Sequence, residues 1–224
     1  MRAGEIRDLA VRAGIAPDVS VLDLCCGVAG PGRFITRELG CSYLGVDLSS
    51  SAIEIARKRA HALPCHFEVS RVPPIPPGQF DVVLLLETML AFPDTQPLLQ
   101  EISRTLATGG RFAFTMEEGP PLTDAERERM PDADTVWLMP LEQLLTYLQS
   151  AGLVVAWQQD YSLSHRAIAD SLTDAFTVDG ARITAQIGRR AHEDLLAGHR
   201  LWSDWLRDGR VRKLAFVAEK TATG

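Results

Sequence analysis

Apolar residues along this chain recur in two rhythms. Short, nearly unbroken apolar runs predict strands near 21–24, 43–47, 65–69, 80–86, 111–116, 153–157 and 211–217. Between them lie stretches with apolar positions at helical spacing. In 97–106 these are Leu98, Leu99, Ile102 and Leu106, and in 141–150 they are Leu141, Leu144, Leu145 and Leu148. Thr108-Gly109-Gly110 stops the first of these helices, and Gly152 ends the second. Ser51 to Glu54 reads as a capping box, with Arg57, Lys58 and Arg59 at the far end of that helix, where cations favour its dipole. Two further helical stretches cover 161–177 and 184–207. Strands alternating with helices predict an α/β fold with a doubly wound, mostly parallel sheet. The run at 80–86 has the continuous apolarity of a central strand covered on both faces. The loop from Arg71 to Gly78 holds four prolines and cannot continue a strand.

The most informative turn is Val21-Leu22-Asp23-Leu24-Cys25-Cys26-Gly27-Val28-Ala29-Gly30-Pro31-Gly32. A strand, a run of small residues and a helix beginning at Pro31 outline a nucleotide-type site. About 20 residues past Gly27, a second strand ends in Asp47, at the place of a ribose-binding acid. Asp23, just before the turn, would repel a phosphate and attract an ammonium, and Pro31 removes a donor that a pyrophosphate would use. Asp23 and Asp47 therefore fit a ligand with an amino group at one end and a ribose at the other, as in S-adenosylmethionine. The plainer reading is that Asp23 caps a turn and Asp47 begins a helix.

Leu22 to Arg33 resembles the first motif of the class I methyltransferases, particularly the small-molecule group with L-D-x-G-C-G-x-G-G-P-x-R. Cys25 and Ala29 stand where that group has glycine, which narrows the allowed φ values. Similarity continues through Gly45-Val46-Asp47-Leu48-Ser49, Phe80-Asp81-Val82-Val83 and Gly109-Gly110-Arg111-Phe112, about half the chain. The resemblance implies a seven-stranded Rossmann-like methyltransferase sheet with an antiparallel last strand, spanning 1–224 as one domain. Residues 161–208 would form an inserted helical cap that binds the acceptor. It implies S-adenosylmethionine as cofactor, held by Asp23, Cys25, Gly27, Gly30, Asp47, Leu48, Arg71, Val72, Leu86 and Glu87. In the family an acid in the loop after the third strand commonly receives the adenine amino group. The best match here is Ser70-Arg71-Val72, and Arg71 cannot accept a hydrogen bond. Backbone groups, Glu68 or stacking must then hold the adenine. Some relatives also carry a histidine at the position of Ala91 and an acid at that of Met116, so no base transfers by resemblance.

A formal charge of −6 argues against a broad nucleic-acid surface, and no D/N-P-P-aromatic signature follows the fourth strand. Hydrophobic content of 46% and charged content of 23% suit a globular protein. No stretch resembles a membrane span or signal peptide, which gives a cytoplasmic expectation with no membrane partner. The adjacent Cys25-Cys26 has neither zinc-ligand nor C-x-x-C spacing, and no metal site is expected. Candidate bases are Glu87, Glu117, Glu118, His165 and His192, of which His165, in the expected cap, is preferred together with Glu117. Tyr161, Trp202 and Trp205 line an acceptor pocket or belong to the core. Residues 121–140 form a flap over the site or an ordinary surface excursion. The expected activity is methyl transfer to O, N or C of a small, partly apolar molecule. An NAD(P)-dependent oxidoreductase and a non-catalytic S-adenosylmethionine-binding protein are the rivals, and the oligomeric state is open.

Overall fold

A computed structural model describes residues 1–221. The elements run α1 (Ala3–Arg12), β1 (Ser20–Leu24), α2 (Gly30–Leu39), β2 (Ser42–Asp47), α3 (Ser50–Arg59), β3 (Cys65–Val69) and β4 (Phe80–Leu85). There follow α4 (Thr95–Thr105), β5 (Leu106–Glu118), α5 (Asp124–Arg129), α6 (Leu141–Ser150), β6 (Leu153–Asp160), α7 (Ser162–Val178), α8 (Gly180–Ile187), α9 (Arg189–Arg207) and β7 (Arg212–Lys220). The seven strands form one sheet in the order β3-β2-β1-β4-β5-β7-β6. β1 to β5 pair in parallel, whereas β7 lies antiparallel between β5 and β6. This is the expected doubly wound sheet with its antiparallel last strand.

Strand alternation divides the core in two. Val21, Val82, Leu84 and Ala113 face one side with Ile6 and Leu9 of α1, Ile35 of α2 and Ile53 of α3. Leu22, Leu24, Val83, Leu85, Phe112 and Phe114 face the other with Leu98, Leu99 and Ile102 of α4 and Leu144 and Leu148 of α6. Full burial of each such side chain contributes about 1.5–3 kcal/mol, which holds the strand ends in fixed register. At Gly45 an added Cβ would meet Cys26 Sγ at 2.9 Å and the Tyr43 ring at 2.9 Å, so only glycine lets the turn after β1 close onto β2.

Several boundaries differ from the sequence expectation. α4 ends at Thr105, and β5 begins at Leu106 with a register shift before Arg111, so the two glycines sit within an irregular strand start rather than a helix stop. The cap of α3 is Ser49, whose hydroxyl accepts from the Ala52 amide, in place of the expected box from Ser51. The stretch 184–207 is broken at Gly188 (φ 86°, ψ 159°), a conformation that interrupts the helical ladder and separates α8 from α9.

Residues 121–140 are not a loose excursion. Leu122, Met130, Val136 and Leu138 bury themselves against Leu201 and Trp205 of α9. The Trp137 amide donates to the Leu90 carbonyl at 2.8 Å. α5 carries its own capping box, Thr123 with Glu126, and Glu126 also receives Arg210 at 2.6 Å. The segment forms a packed wall beside α9.

Candidate active site

The turn between β1 and α2 is built by close backbone approach. Cys25, Gly27 and Ala29 have φ of 57°, 54° and 53°, all left-handed. For Cys25 and Ala29 this costs about 1–2 kcal/mol each, so the turn is kept despite two non-glycine residues. Asp47 fastens it: one carboxylate oxygen accepts the Gly27 amide at 2.8 Å and the other the Ser49 amide at 2.8 Å. Asp47 remains half-buried, with its carboxylate at the rim of the turn. An added Cβ at Gly27 or Gly30 would meet nothing within 4 Å, so open space lies in front of both glycines. Leu48 is 63% exposed beside them, an apolar surface on which a flat ring can lie. These features leave room for an adenosyl group beside the turn.

Asp23 lies near the carboxyl end of β1, just before the turn. It is only 3% exposed, and Tyr43 Oη donates to its Oδ2 at 2.5 Å. Burial, aided by the nearby Asp47 and opposed by the Tyr43 bond, lifts its pKa to about 7. Its second oxygen has no hydrogen-bond partner among the described residues. Cys25 and Cys26 flank this acid. Burial and the two aspartates raise Cys25 to about 11 and Cys26 still further, so both thiols stay protonated.

Arg71 is exposed and Val72 half-buried at the start of the proline loop, where Val72 packs on the second core face. Leu86 is buried at the end of β4. Glu87 follows it with φ 62°, and its amide donates to Thr115 Oγ1 at 2.8 Å. A strained, non-glycine residue at a strand end marks a position where the surroundings dictate where the side chain goes.

That side chain enters a cluster formed by three strand ends and α7. Glu117 of β5 and Lys213 of β7 are direct cross-strand partners, with Lys213 Nζ donating to Glu117 Oε1 at 2.5 Å. Lys213 Nζ also lies 3.1 Å from Glu87 Oε2, and His165 Nε2 lies 3.9 Å from the same oxygen. Lys213 is 0% and Glu117 6% exposed. Burial alone would depress the Lys213 pKa, but Glu117 and Glu87 hold it above the ordinary value. Burial would raise Glu87, yet Lys213 first and then the Met1 amino group and His165 bring it below the usual carboxylate range. For His165, burial and Lys213 outweigh the two glutamates and lower its pKa, which leaves a neutral imidazole near pH 7. Glu87, Glu117 and His165 offer ligand atoms within 4.8 Å of one another, a spacing a metal ion could use. Lys213 already supplies the positive charge there.

A cavity of about 300 Å³ opens on this cluster, with Leu90, Ile168, Leu172 and Trp202 among its apolar walls. His165 and Glu117 are thus brought together. His192 is not: it bonds Thr184 Oγ1 at 3.1 Å and the Phe176 carbonyl at 2.9 Å, tying α7, α8 and α9 to one another. Glu118 pairs with Arg212 at 2.8 Å, away from the cavity. Of the aromatic candidates only Trp202 lines the cavity. Trp205 is core against residues 121–140, and Tyr161 packs on the α1 side. Sequence reasoning missed Lys213. Its signal was parity: Val211, Lys213, Ala215 and Val217 share one strand face, so a lysine there occupies an apolar position.

Residues 22–114 match the family described as Methyltransferase domain. The chain is 30% identical to the methyltransferase GfsG of Streptomyces halstedii over 109 residues, covering 46% of this chain and 39% of that protein. To the 27-O-demethylrifamycin SV methyltransferase of Amycolatopsis mediterranei it is 29% identical over 153 residues, covering 63% and 56%. The matched stretch thus spans less than two thirds of these curated relatives. In three dimensions, phosphoethanolamine N-methyltransferase 2 of Haemonchus contortus, solved with S-adenosylhomocysteine, superposes with a TM-score of 0.83 at 22% identity, covering 98% of this chain and 53% of that one. Residues 22–114, which include the Asp47-fastened turn, are thus similar to the methyltransferase domain, and the chain as a whole has the fold of solved S-adenosylmethionine-dependent methyltransferases.

Proposed function

We propose that the whole chain transfers a methyl group from S-adenosylmethionine to a nucleophile on a small, partly apolar acceptor. The observation that carries this reading is the adjacency of two half-sites. The Asp47-fastened turn lies at the end of β1, and the cavity headed by Glu87, Glu117 and His165 opens at the ends of β4 and β5 beside it. When bound, the cofactor supplies a methyl already made electrophilic by its sulfonium.

The protein's tasks are then to hold, orient and exclude water. Asp47 receives the ribose hydroxyls, Gly27 and Gly30 admit the chain of the amino acid, and Leu48 and Val72 flank the adenine. Cys25, Leu86, Glu87 and Arg71 border the same groove. The remaining oxygen of Asp23 sits behind the turn on the amino-acid side. α7 and α9 carry the walls that orient the acceptor, and orientation of this kind contributes up to ~7–11 kcal/mol of barrier lowering. His165, kept neutral by burial and Lys213, accepts the acceptor's proton at Nε2, with Glu87 steadying the imidazolium that forms. The inserted helices at 162–207 are the acceptor-binding cap of this reading.

Calorimetry with S-adenosylhomocysteine tests it. Loss of the Asp47 contacts in Asp47→Ala should weaken binding by roughly 10- to 100-fold, the worth of one or two charge-assisted hydrogen bonds. Failure of the wild-type chain to bind at millimolar concentration would sink the proposal. A response to NADH in its place would revive the dinucleotide reading, and binding without turnover of any acceptor would favour a non-catalytic cofactor-binding protein.

A further inference from the structure

The acceptor cavity contains an imbalance that specifies what enters it. Glu117 is more than nine-tenths buried, and its Oε2 has no hydrogen-bond partner among the described residues, although Oε1 is held by Lys213. Glu87 Oε1 is likewise buried without a partner. The Met1 amino group, 3.8 Å away, is beyond hydrogen-bonding reach. A buried carboxylate oxygen left unmade is costly, and its cost is recovered only when a donor arrives. His165 lines the same end of the cavity as Glu87 and Glu117, so two unpartnered carboxylate oxygens and an imidazole are gathered beside one small volume. A hydroxyl has one proton to give and would leave one of the two oxygens unsatisfied. An ammonium has up to three.

Resting on the methyl-transfer reading above, we infer that the acceptor is a primary or secondary amine on an apolar body. Its nitrogen is seated among Glu117, Glu87 and His165, and its body lies along Leu90, Ile168, Leu172 and Trp202. The amine arrives as an ammonium, and one N–H proton passes to His165 Nε2. The freed nitrogen lone pair forms the N–C bond to the methyl while the methyl–sulfur bond breaks, its electron pair staying on sulfur as a thioether. The product is the N-methylated ammonium. Trp202 and His199 also line a second cavity of about 540 Å³, between α9 and residues 130–136.

The test uses two probes of equal length, n-hexylamine and 1-hexanol, titrated by calorimetry into the full chain at pH 8 with and without S-adenosylhomocysteine. The amine should bind roughly 10- to 100-fold more tightly than the alcohol. Glu117→Gln should erase that preference while leaving hexanol affinity within about threefold, with circular dichroism confirming the fold. Leu172→Trp, which fills the cavity without touching the charges, should weaken both probes. Equal binding of amine and alcohol by the wild-type chain would overturn the inference, whatever the variants do. So would saturable binding of Zn²⁺ or Mg²⁺ alone that Glu117→Gln abolishes, since that would make the cluster a metal site. If S-adenosylhomocysteine fails to bind yet the amine preference persists, the methyl-transfer reading fails and the amine site stands. If the cofactor product binds and the preference is absent, the reverse holds.

Discussion

Replacing Lys213 with methionine removes one charge from the middle of the protein and keeps most of its volume. At an effective dielectric of about 20, an ion pair near 3 Å is worth on the order of 5 kcal/mol before desolvation, and desolvation offsets much of that. What the variant suffers is therefore less the lost attraction than the stranded anion. Glu117, 6% exposed and cross-strand from position 213, has Lys213 as its one ion-pair partner among the described residues. Glu87, whose side chain is 35% exposed, can reach water and contributes less. Breaking a buried pair from one side costs about 3–5 kcal/mol, which in a chain of this size lowers Tm by roughly 6–20 °C. The sign of the pH dependence follows. Without Lys213 the buried carboxylates prefer to be protonated in the fold more than in the unfolded chain, so stability is lost as pH rises. Urea unfolding at pH 5 and pH 8 should show the larger deficit at pH 8. The pair Glu117→Gln with Lys213→Met should recover at least about half of it. A Lys213→Met protein within about 1 kcal/mol of wild type at pH 8, or a deficit unchanged at pH 5, would refute the reasoning.

Other outcomes follow from the same structure. His165→Ala should lower kcat by about 10²–10³ while S-adenosylhomocysteine affinity stays put, because His165 faces the acceptor cavity and not the Asp47 turn; stopped-flow turnover and calorimetry separate the two. Asp23 has a folded pKa raised to about 7 against an ordinary 3.8, so its contribution to stability is greatest at acid pH and is lost as pH rises from about 4 to 7. Asp23→Asn should flatten that part of the stability profile, and an unchanged profile would show that the burial argument is mistaken. Gly32→Ala places a Cβ into the Tyr43 ring, which must leave Asp23 to make room. A cost of about 1–3 kcal/mol by chemical denaturation is expected for such overpacking.

Much of this architecture was legible from local pattern. Apolar runs of strand length, helical stripes such as Leu141 to Leu148, and the small-residue turn ending in Gly30 each draw on interactions a few residues apart. The sheet, its turn and the Gly27–Asp47 spacing were accordingly readable. Asp47 needed only its place at a strand end, and the structure sets it on the Gly27 amide. Local pattern blurred where a residue could serve two structures, as at Gly109-Gly110, which lie within β5, and at Gly188, which splits one apparent helix into α8 and α9.

Pairings between distant segments were decided only by the tertiary structure. Tyr43, 20 residues away, closes over Asp23 and makes it a buried acid. Lys213 met Glu117 across 96 residues because β7 folds back antiparallel beside β5, and no spacing rule along the chain encodes that register. His165 became a credible base only when α7 brought it to Glu87 and Lys213, whose charges and burial set its protonation. Periodicity reports which face a residue presents. What waits on that face, and hence the energy of a buried charge, depends on which distant strand the fold sets there.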